Sequence, residues 1–241
     1  MKKILVFSFI VANLLHAEGE IVIAPPPVSY SALQTVGSES GVGLNYISYS
    51  ADSFDMTGYG VGFSHRIRND ESSLHYISAG YMNLTASNDM EMDIYNVNYL
   101  YGHNLSKELI GFVGANINYS SSSLEVPYGS TTGSDIYIDT MMYGVNAGFQ
   151  YDVAVSFGSV IPWVFASYIS GSSETEMIQY GTNPLTGNPY PTNTSSADID
   201  PILAYQFGLD MFFKAINTSL SSMYQSSDSG DMLSLSLNYN F

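Results

Sequence analysis

Apolar side chains recur at every second position through most of the chain from about Gly41 onward. This period of two is the spacing of a β-strand whose two faces meet different surroundings. The C-terminal stretch shows it from Leu233 onward, and the stretch before Tyr151 shows it apart from Met142. In that second stretch the apolar positions are Met141, Tyr143, Val145, Ala147, Phe149 and Tyr151, and they alternate with Thr140, Gly144, Asn146, Gly148 and Gln150.

These alternating stretches are longer than the roughly 5 or 6 residues of a typical soluble strand. A strand that crosses a bilayer at a tilt needs about 9–11 residues, with apolar side chains toward lipid and polar ones toward a lumen. The polar face consists mainly of Gly, Ser and Asn, which suits a narrow enclosed lumen. The pattern predicts an all-β, transmembrane, antiparallel up-and-down β-barrel. A soluble sandwich is the alternative, with Lys, Glu and Thr on its wet face.

The number of strands follows from counting the stretches. The alternation is clear at 56–68, 90–103, 109–120, 137–151, 202–213 and 231–241, and weaker at 42–50, 73–84, 160–169 and 216–225. About ten strands are therefore predicted, an even number as expected for bacterial single-chain barrels. Eight strands is the alternative, because the first and ninth stretches are weak.

The N-terminal segment has the three parts of a secretory signal peptide. Lys2 and Lys3 are basic, the run from Ile4 to Leu15 is almost wholly apolar, and Ala17 is a small residue at the expected cleavage site. We therefore expect residues 1–17 to be a signal peptide. Residues 18–40, with three consecutive prolines, form a periplasmic lead-in, and residues 41–241 form the barrel.

Charge changes the picture in two ways. The chain carries 6 Lys+Arg against 22 Asp+Glu, a formal net charge of −16, and phosphate-binding proteins need clustered Lys and Arg, so nucleic acid is not expected as a partner.

The chain has no Cys, which excludes disulfide scaffolds, thiolate metal sites and a cysteine nucleophile.

Acids and cations also fall at opposite predicted ends of the barrel. If both termini face the periplasm, the loops at 51–55, 85–89, 121–136, 170–201 and 226–230 are extracellular, and most acids fall in or beside them. The cations after residue 17, by contrast, fall beside periplasmic turns. The acids singled out in the extracellular loops are Glu174, Glu176, Asp198, Asp200, Asp228 and Asp231, and the cations are Arg66, Arg68, Lys107 and Lys214. An acidic rim favours cations at the mouth of any pore.

The last strand resembles the insertion signature of bacterial outer-membrane β-barrel proteins. It ends on an aromatic residue, and apolar residues alternate before it: Leu233, Leu235, Leu237, Tyr239 and Phe241. The resemblance implies the bacterial outer membrane as location, outer-membrane lipid as surroundings and the barrel assembly machinery as a partner during biogenesis. The size is similar to that of small OmpA/OmpX-like barrels or of ten-stranded porin-like ones.

No constellation of catalytic residues stands out. His65, His75 and His103 fall toward the periplasmic ends of their strands, a bilayer away from the acidic loops. Ser64 and His65 are adjacent and so lie on opposite faces of one strand. We expect no enzyme activity, no cofactor and no metal site, with a solvated acidic rim preferred over a divalent-cation site.

One pair of charged residues falls on the lumen face. Arg66 and Asp210 both lie on the polar phase near the periplasmic end of their strands. A charge inside a narrow barrel is costly unless it is paired. The sequence predicts an ion pair that closes the periplasmic end, or else two side chains that separately reach periplasmic water.

These features favour a structural barrel or a narrow passive pore with an acidic, cation-favouring extracellular vestibule. The alternative is an adhesin, or surface-recognition barrel, that binds a ligand through the long loop 170–201, whose prolines and glycines argue against strand structure. A lipid-modifying enzyme is a third and weaker reading.

Overall fold

The computed structural model describes residues 40–51, 54–68, 72–86, 90–127, 133–181, 190, 192–228 and 230–241. The expected signal peptide and nearly all of the lead-in, residues 1–39, lie outside these residues. The strands are β1 (Ser40–Ala51), β2 (Phe54–Arg68), β3 (Ser73–Ala86), β4 (Glu91–Asn104), β5 (Leu109–Pro127), β6 (Gly133–Tyr151), β7 (Val153–Val155), β8 (Gly158–Tyr180), β9 (Asn193–Phe213), β10 (Thr218–Ser227) and β11 (Gly230–Asn240). A 3-10 turn covers Lys214–Ile216. None of the described segments is a helix able to cross a bilayer.

The strands close into one antiparallel barrel. Each long strand pairs with its neighbour in sequence, β6 pairs directly with β8, and β11 pairs back onto β1. The three-residue β7 pairs only with the start of β8. Ten long strands therefore form the wall, so the predicted ten-stranded barrel is confirmed over the eight-stranded alternative. The weak stretches at 42–50, 73–84 and 160–169 lie within barrel strands, and the stretch at 216–225 begins two residues before β10.

The seam between β1 and β11 joins the two ends of the described chain. The Ser40 amide donates to the Phe241 carbonyl at 3.1 Å, and the Phe241 amide donates to the Ser40 carbonyl at 2.9 Å. From there the register continues through Leu44 opposite Leu237 to Ser50 opposite Asp231. We call the end of the barrel where Ser40 and Phe241 meet the base, and the opposite end the crown.

The wall is much taller on one side than on the other. β1, β10 and β11 have 12, 10 and 11 residues, whereas β5 and β6 have 19 each and β8 and β9 have 23 and 21. The excess lies at the crown. We call residues 121–127, 133–140, 171–180 and 193–200 the crown sheet.

The crown sheet corrects the predicted loops at 121–136 and 170–201. β5 continues to Pro127 and β6 begins at Gly133, while β8 continues to Tyr180 and β9 begins at Asn193. Glu174, Glu176, Asp198 and Asp200 therefore belong to strands, not to a loop. The prediction is wrong because it relied on apolar alternation. These segments are instead held by backbone pairing of β8 with β6 on one side and with β9 on the other.

Candidate functional site: the lumen and the crown sheet

Burial alternates along the strands and separates a lumen face from an outer face. In β11, Met232, Ser234, Ser236, Asn238 and Asn240 are buried, and they alternate with Leu233, Leu235, Leu237 and Tyr239, which are about half exposed. The residues of the insertion signature thus lie on the outer face. An apolar outer face around a closed barrel is the arrangement that lipid requires.

A belt of tyrosines surrounds the outer face on its crown side. Three pairs of members on neighbouring strands are in ring contact: the ring centroids of Tyr46 and Tyr59 are 5.4 Å apart, those of Tyr81 and Tyr95 are 5.2 Å apart, and those of Tyr95 and Tyr119 are 6.2 Å apart. Every long strand except β11 contributes one member: Tyr46, Tyr59, Tyr81, Tyr95, Tyr119, Tyr143, Tyr168, Tyr205 and Tyr224. Rings with an apolar body and a polar tip gather where lipid meets water.

Carboxylates lie just beyond this belt and accept hydrogen bonds from it. The Tyr81 hydroxyl donates to Asp93 at 2.7 Å, and the Tyr119 hydroxyl donates to Asp139 at 2.9 Å. In each pair the tyrosine and the aspartate belong to neighbouring strands, and the aspartate is nearer the crown. The belt therefore marks the crown-side boundary of the lipid-facing surface.

The base half of the lumen is filled by aromatic rings. We call Tyr76, Phe112, Trp163 and Phe165 the aromatic plug, and all four are at most 4% exposed. The ring centroids of Phe112 and Phe165 are 5.9 Å apart, and those of Trp163 and Phe165 are 5.8 Å apart in an edge-to-face arrangement.

Glycines on neighbouring strands make room for these rings. A Cβ atom on Gly208 would lie 2.3 Å from the Trp163 ring, and one on Gly148 would lie 2.6 Å from the Phe165 ring. Both distances are far below van der Waals contact, so each ring lies directly against the backbone of the next strand. The plug is packed as a protein core, not as the wall of an open channel.

The predicted ion-pair residues lie beside the plug. Asp210 is 1% exposed and accepts a hydrogen bond from the Trp163 indole nitrogen at 3.2 Å. Arg66 is half-buried near the base end of β2, on the same inward phase as buried Ser64 and directly opposite Tyr76 of the plug. Both charged residues thus occupy the base end of the lumen, and their mutual pairing stays a prediction.

The middle of the lumen, and its base end at β1 and β11, are lined by amides that lie against glycines. Asn45 faces Gly60, Asn96 faces Gly80, Asn116 faces Gly144, Asn146 faces Gly114 and Asn238 faces Gly43, each pair directly across two neighbouring strands. A Cβ atom on Gly43 would come within 2.1 Å of the Asn238 Oδ1 atom, so that amide lies flat on the wall.

Several of these amides have buried atoms without a hydrogen-bond partner in the protein. They include the Oδ1 atoms of Asn45, Asn116 and Asn146 and both polar side-chain atoms of Asn118 and Asn238. Buried polar groups are almost always satisfied by protein or water. The middle layer is accordingly a polar section suited to water, as the Gly, Ser and Asn face predicts.

The crown half of the lumen is apolar, which the sequence reading did not anticipate. Met56, Met82 and Met232 are each 1% exposed and belong to the same apolar cluster as the aromatic plug, together with other inward residues, Ile47, Leu84, Met92 and Ile94. In β3 the apolar residues occupy both faces, which explains the mixed phase at 73–84. The sequence did contain a signal for this apolar lumen: β3 has apolar residues at its inward positions as well as at its outward ones.

The crown sheet carries most of its acids on its outer face. Glu174 and Glu176 are exposed and alternate with half-buried Ser173 and Thr175. Asp139 lies directly opposite Glu174, and Glu125 lies directly opposite Asp135. These acids face away from the lumen, in contrast to the expected vestibule.

The remaining acids of the expected rim are distributed around the crown. Asp198 is exposed and opposite Ser172, Asp200 is exposed beside a register shift, Asp228 is exposed in the β10–β11 turn and Asp231 is exposed on β11. Within the described ranges no three His, Asp or Glu side chains are grouped closely enough to hold a metal ion.

The histidines lie near the base, far from the crown acids. His65 shares a hydrogen bond of 3.0 Å with the Ser40 hydroxyl, and His75 bonds to the Tyr99 hydroxyl. His103 is near the end of β4 at the base. The structure brings none of them next to an acid of the crown sheet.

Solved structures share this architecture although no protein-family model matches the chain and no curated protein matches its sequence. The translocator domain of autotransporter NalP from Neisseria meningitidis matches with a TM-score of 0.50 at 11% identity, over 87% of this chain and 91% of that one. The β-domain of the Bordetella autotransporter BrkA matches with a TM-score of 0.48 at 10% identity, over 85% and 99%. Neisserial surface protein A matches with a TM-score of 0.34 at 12% identity, over 86% and 99%. The protein has the fold of a bacterial outer-membrane β-barrel.

Proposed function

We propose that this outer-membrane barrel acts at the cell surface by presenting its crown sheet to a partner, and that its lumen conducts no solute. The unequal height of the wall carries the proposal. β8 has 23 residues and β9 has 21, whereas a strand crosses a bilayer with about 9–11. Roughly 10 to 14 residues of each, or about 33–46 Å of strand, are left over for the aqueous side.

The orientation in the membrane follows from the two ends. Outer-membrane barrels have short periplasmic turns and longer extracellular extensions. The strand extensions and the longest connection, between Tyr180 and Asn193, are at the crown, whereas Lys107 and Lys214 lie in connections at the base. The base therefore faces the periplasm, and the crown sheet stands outside the cell.

The packed plug supports a closed lumen. Single-channel recording of the full chain in planar bilayers tests this directly, and we expect no conductance steps up to the voltage at which the bilayer breaks. The double variant Trp163→Ala with Phe165→Ala removes two plug rings and should produce steps. Steady conductance from the unmodified chain would contradict the proposal.

A narrow passive pore is the second candidate, and the amide-lined middle layer favours it. Asn45, Asn116 and Asn146 offer unpartnered oxygens to water or a passing solute. In that case the unmodified chain conducts, and exposed acids at the crown make the current cation-selective. The same recording, repeated with a salt gradient, separates the two candidates.

Recognition by the crown sheet is tested by shortening it. Replacing residues 173–197 with Asn-Gly joins Ser172 to Asp198, which are already opposite each other, and leaves the barrel register unchanged. Cells displaying either form are applied to arrays of purified matrix proteins and glycans. We expect the full chain to bind at least one array member and the shortened form to lose that binding. Cells that bind no member, or that bind equally without the crown sheet, would refute the proposal.

The proposal assigns no reaction to the protein. His65 and His75 are hydrogen-bonded to Ser40 and Tyr99 near the base. A hydrolytic dyad needs its acid and base within hydrogen-bond reach. The absence of hydrolysis of lipid A, phospholipid and peptide substrates by the purified barrel is the corresponding expectation.

A further inference from the structure

We propose that the outer edge of β9 over residues 194–200 takes up a basic, extended peptide segment of the partner as an additional strand. We call these residues the open edge. The inference rests on the proposed function, because it names the part of the crown sheet that binds and the chemistry that it recognises.

The open edge has no neighbouring strand among the described residues. β9 pairs with β8 from Asn193 onward, but it pairs with β10 only from Tyr205, opposite Ser226, to Phe213. On the side away from β8, the described part of the chain provides no ladder partner for the backbone of residues 194–200. Such an edge is a template for a further strand.

The burial pattern of β9 agrees with an uncovered edge. Elsewhere in the barrel buried and exposed residues alternate, but the first six residues of β9 are all exposed. Both faces of this stretch are thus open to water, and a strand can approach without displacing side chains. The stretch ends toward the base at Pro201, which has no amide hydrogen, beside a register shift against β8. An added ladder of about seven residues, roughly 23 Å long, fits between these limits.

The outer face beside the edge selects a basic segment. Glu176 lies opposite Thr194 and Glu174 lies opposite Ser196, so small hydroxyl side chains separate each glutamate from the edge. A lysine or arginine on an added strand reaches across a small residue to such a carboxylate. Side chains on one face of a strand occur at every second residue, so alternate basic residues meet Glu176, Glu174 and Asp198.

The same charges disfavour a second copy of this chain at the edge. Edge-to-edge pairing of two copies would bring Asp198 and Asp200 of one beside the acids of the other, and like charges on paired strands destabilise them. The chain has no Lys or Arg between Lys107 and Lys214, so the crown sheet has no basic residue to offset this repulsion.

Two peptides of the same composition test the inference with the full chain in lipid nanodiscs. One alternates threonine and lysine through five repeats, and the other has five threonines followed by five lysines. At 0.15 M salt we expect the alternating peptide to bind at least tenfold more tightly. It should also slow hydrogen exchange of amides within residues 194–200. Equal affinity, or binding without slower exchange, would show only general attraction between charges and overturn the inference.

Matched variants locate the site. Glu174→Gln with Glu176→Gln should weaken binding of the alternating peptide at least tenfold. Glu91→Gln with Glu125→Gln removes the same charge from exposed positions on β4 and β5, away from the open edge, and should change it less than twofold. Equal losses in both variants would overturn the inference, as would self-association of the chain that protects the same amides. If displaying cells bind array members but Glu174→Gln with Glu176→Gln leaves that binding intact, the open edge is wrong while the crown sheet stands.

Discussion

Truncating Trp163 to alanine tests whether the aromatic plug is a packed core. The side chain is 4% exposed, its ring centroid is 5.8 Å from that of Phe165, and its indole nitrogen donates a hydrogen bond to buried Asp210. Replacing a buried tryptophan by alanine costs about 3–5 kcal/mol through lost transfer and the cavity left behind. The loss of the indole donor leaves an Asp210 oxygen with one partner fewer, which places the expected cost toward the upper end of that range.

Val164→Ala is the matched control. Val164 is the next residue along β8, is 49% exposed and lies on the outer face. It fills no part of the lumen, so its truncation should cost about 1 kcal/mol, the loss of partly buried methyl groups.

The measurement is a urea titration in lipid vesicles. The folded fraction is read from the mobility of unheated samples on detergent gels, because Trp163 is the only tryptophan and its fluorescence disappears in the variant. Trp163→Phe keeps a ring but not the donor and should fall between the other two. If Trp163→Ala lowers the free energy of unfolding by no more than about 1 kcal/mol beyond the loss in Val164→Ala, the packed plug is refuted. The largest ring in the lumen would then contribute little to stability.

Three further predictions concern other parts of the barrel. Arg66→Gln and Asp210→Asn should each lower the free energy of unfolding by about 3 kcal/mol, because each change leaves the other charge in the lumen without its counter-ion. The double variant should lower it by clearly less than the sum, and strict additivity in urea titrations would exclude the ion pair. Phe241→Asp should lower the yield of folded protein in outer membranes severalfold, since it places a charge on the outer face at the seam; unchanged yield would contradict the role of the terminal aromatic. The hydrogen bond that Tyr180 donates to Asp135 raises the pKa of Tyr180 to about 12, so the protonated hydroxyl contributes stability that is complete below pH 10 and lost as pH rises through 12. The absorbance difference at 295 nm between wild type and Tyr180→Phe should titrate near 12, and a midpoint at 10 would show that the bond is absent.

Alternation was sufficient to predict the membrane-spanning part of the fold. The contrast between lipid outside and an enclosed lumen inside imposes a period of two, and β11, with Leu233 to Tyr239 outside and Ser234 to Asn240 inside, shows it in full. Closure then follows, because a sheet in lipid cannot leave an edge unpaired.

The crown sheet and the lumen layers required the structure. Outside the membrane both faces of a strand meet water, so Ser172 to Glu176 look like a loop although backbone pairing holds them in β8. The plug combines residues from β3, β5 and β8, and their meeting depends on the stagger of the strands, which alternation within one strand does not encode. The pairing of Arg66 with Asp210 stays a prediction for the same reason: distance from a strand end can be counted in the sequence, but position around the barrel cannot.

The seam at Ser40 and Phe241 sets the order in which the barrel can form. Every other pairing between long strands joins consecutive long strands, with only the short β7 between β6 and β8. The pairing of β1 with β11 instead joins the two ends of the described chain. Closing a loop of about 200 residues costs roughly 5 kcal/mol of chain entropy, and this cost falls on one pairing. Barrel closure is thus the slow, late step of folding, and until then the protein is an open sheet with two reactive edges.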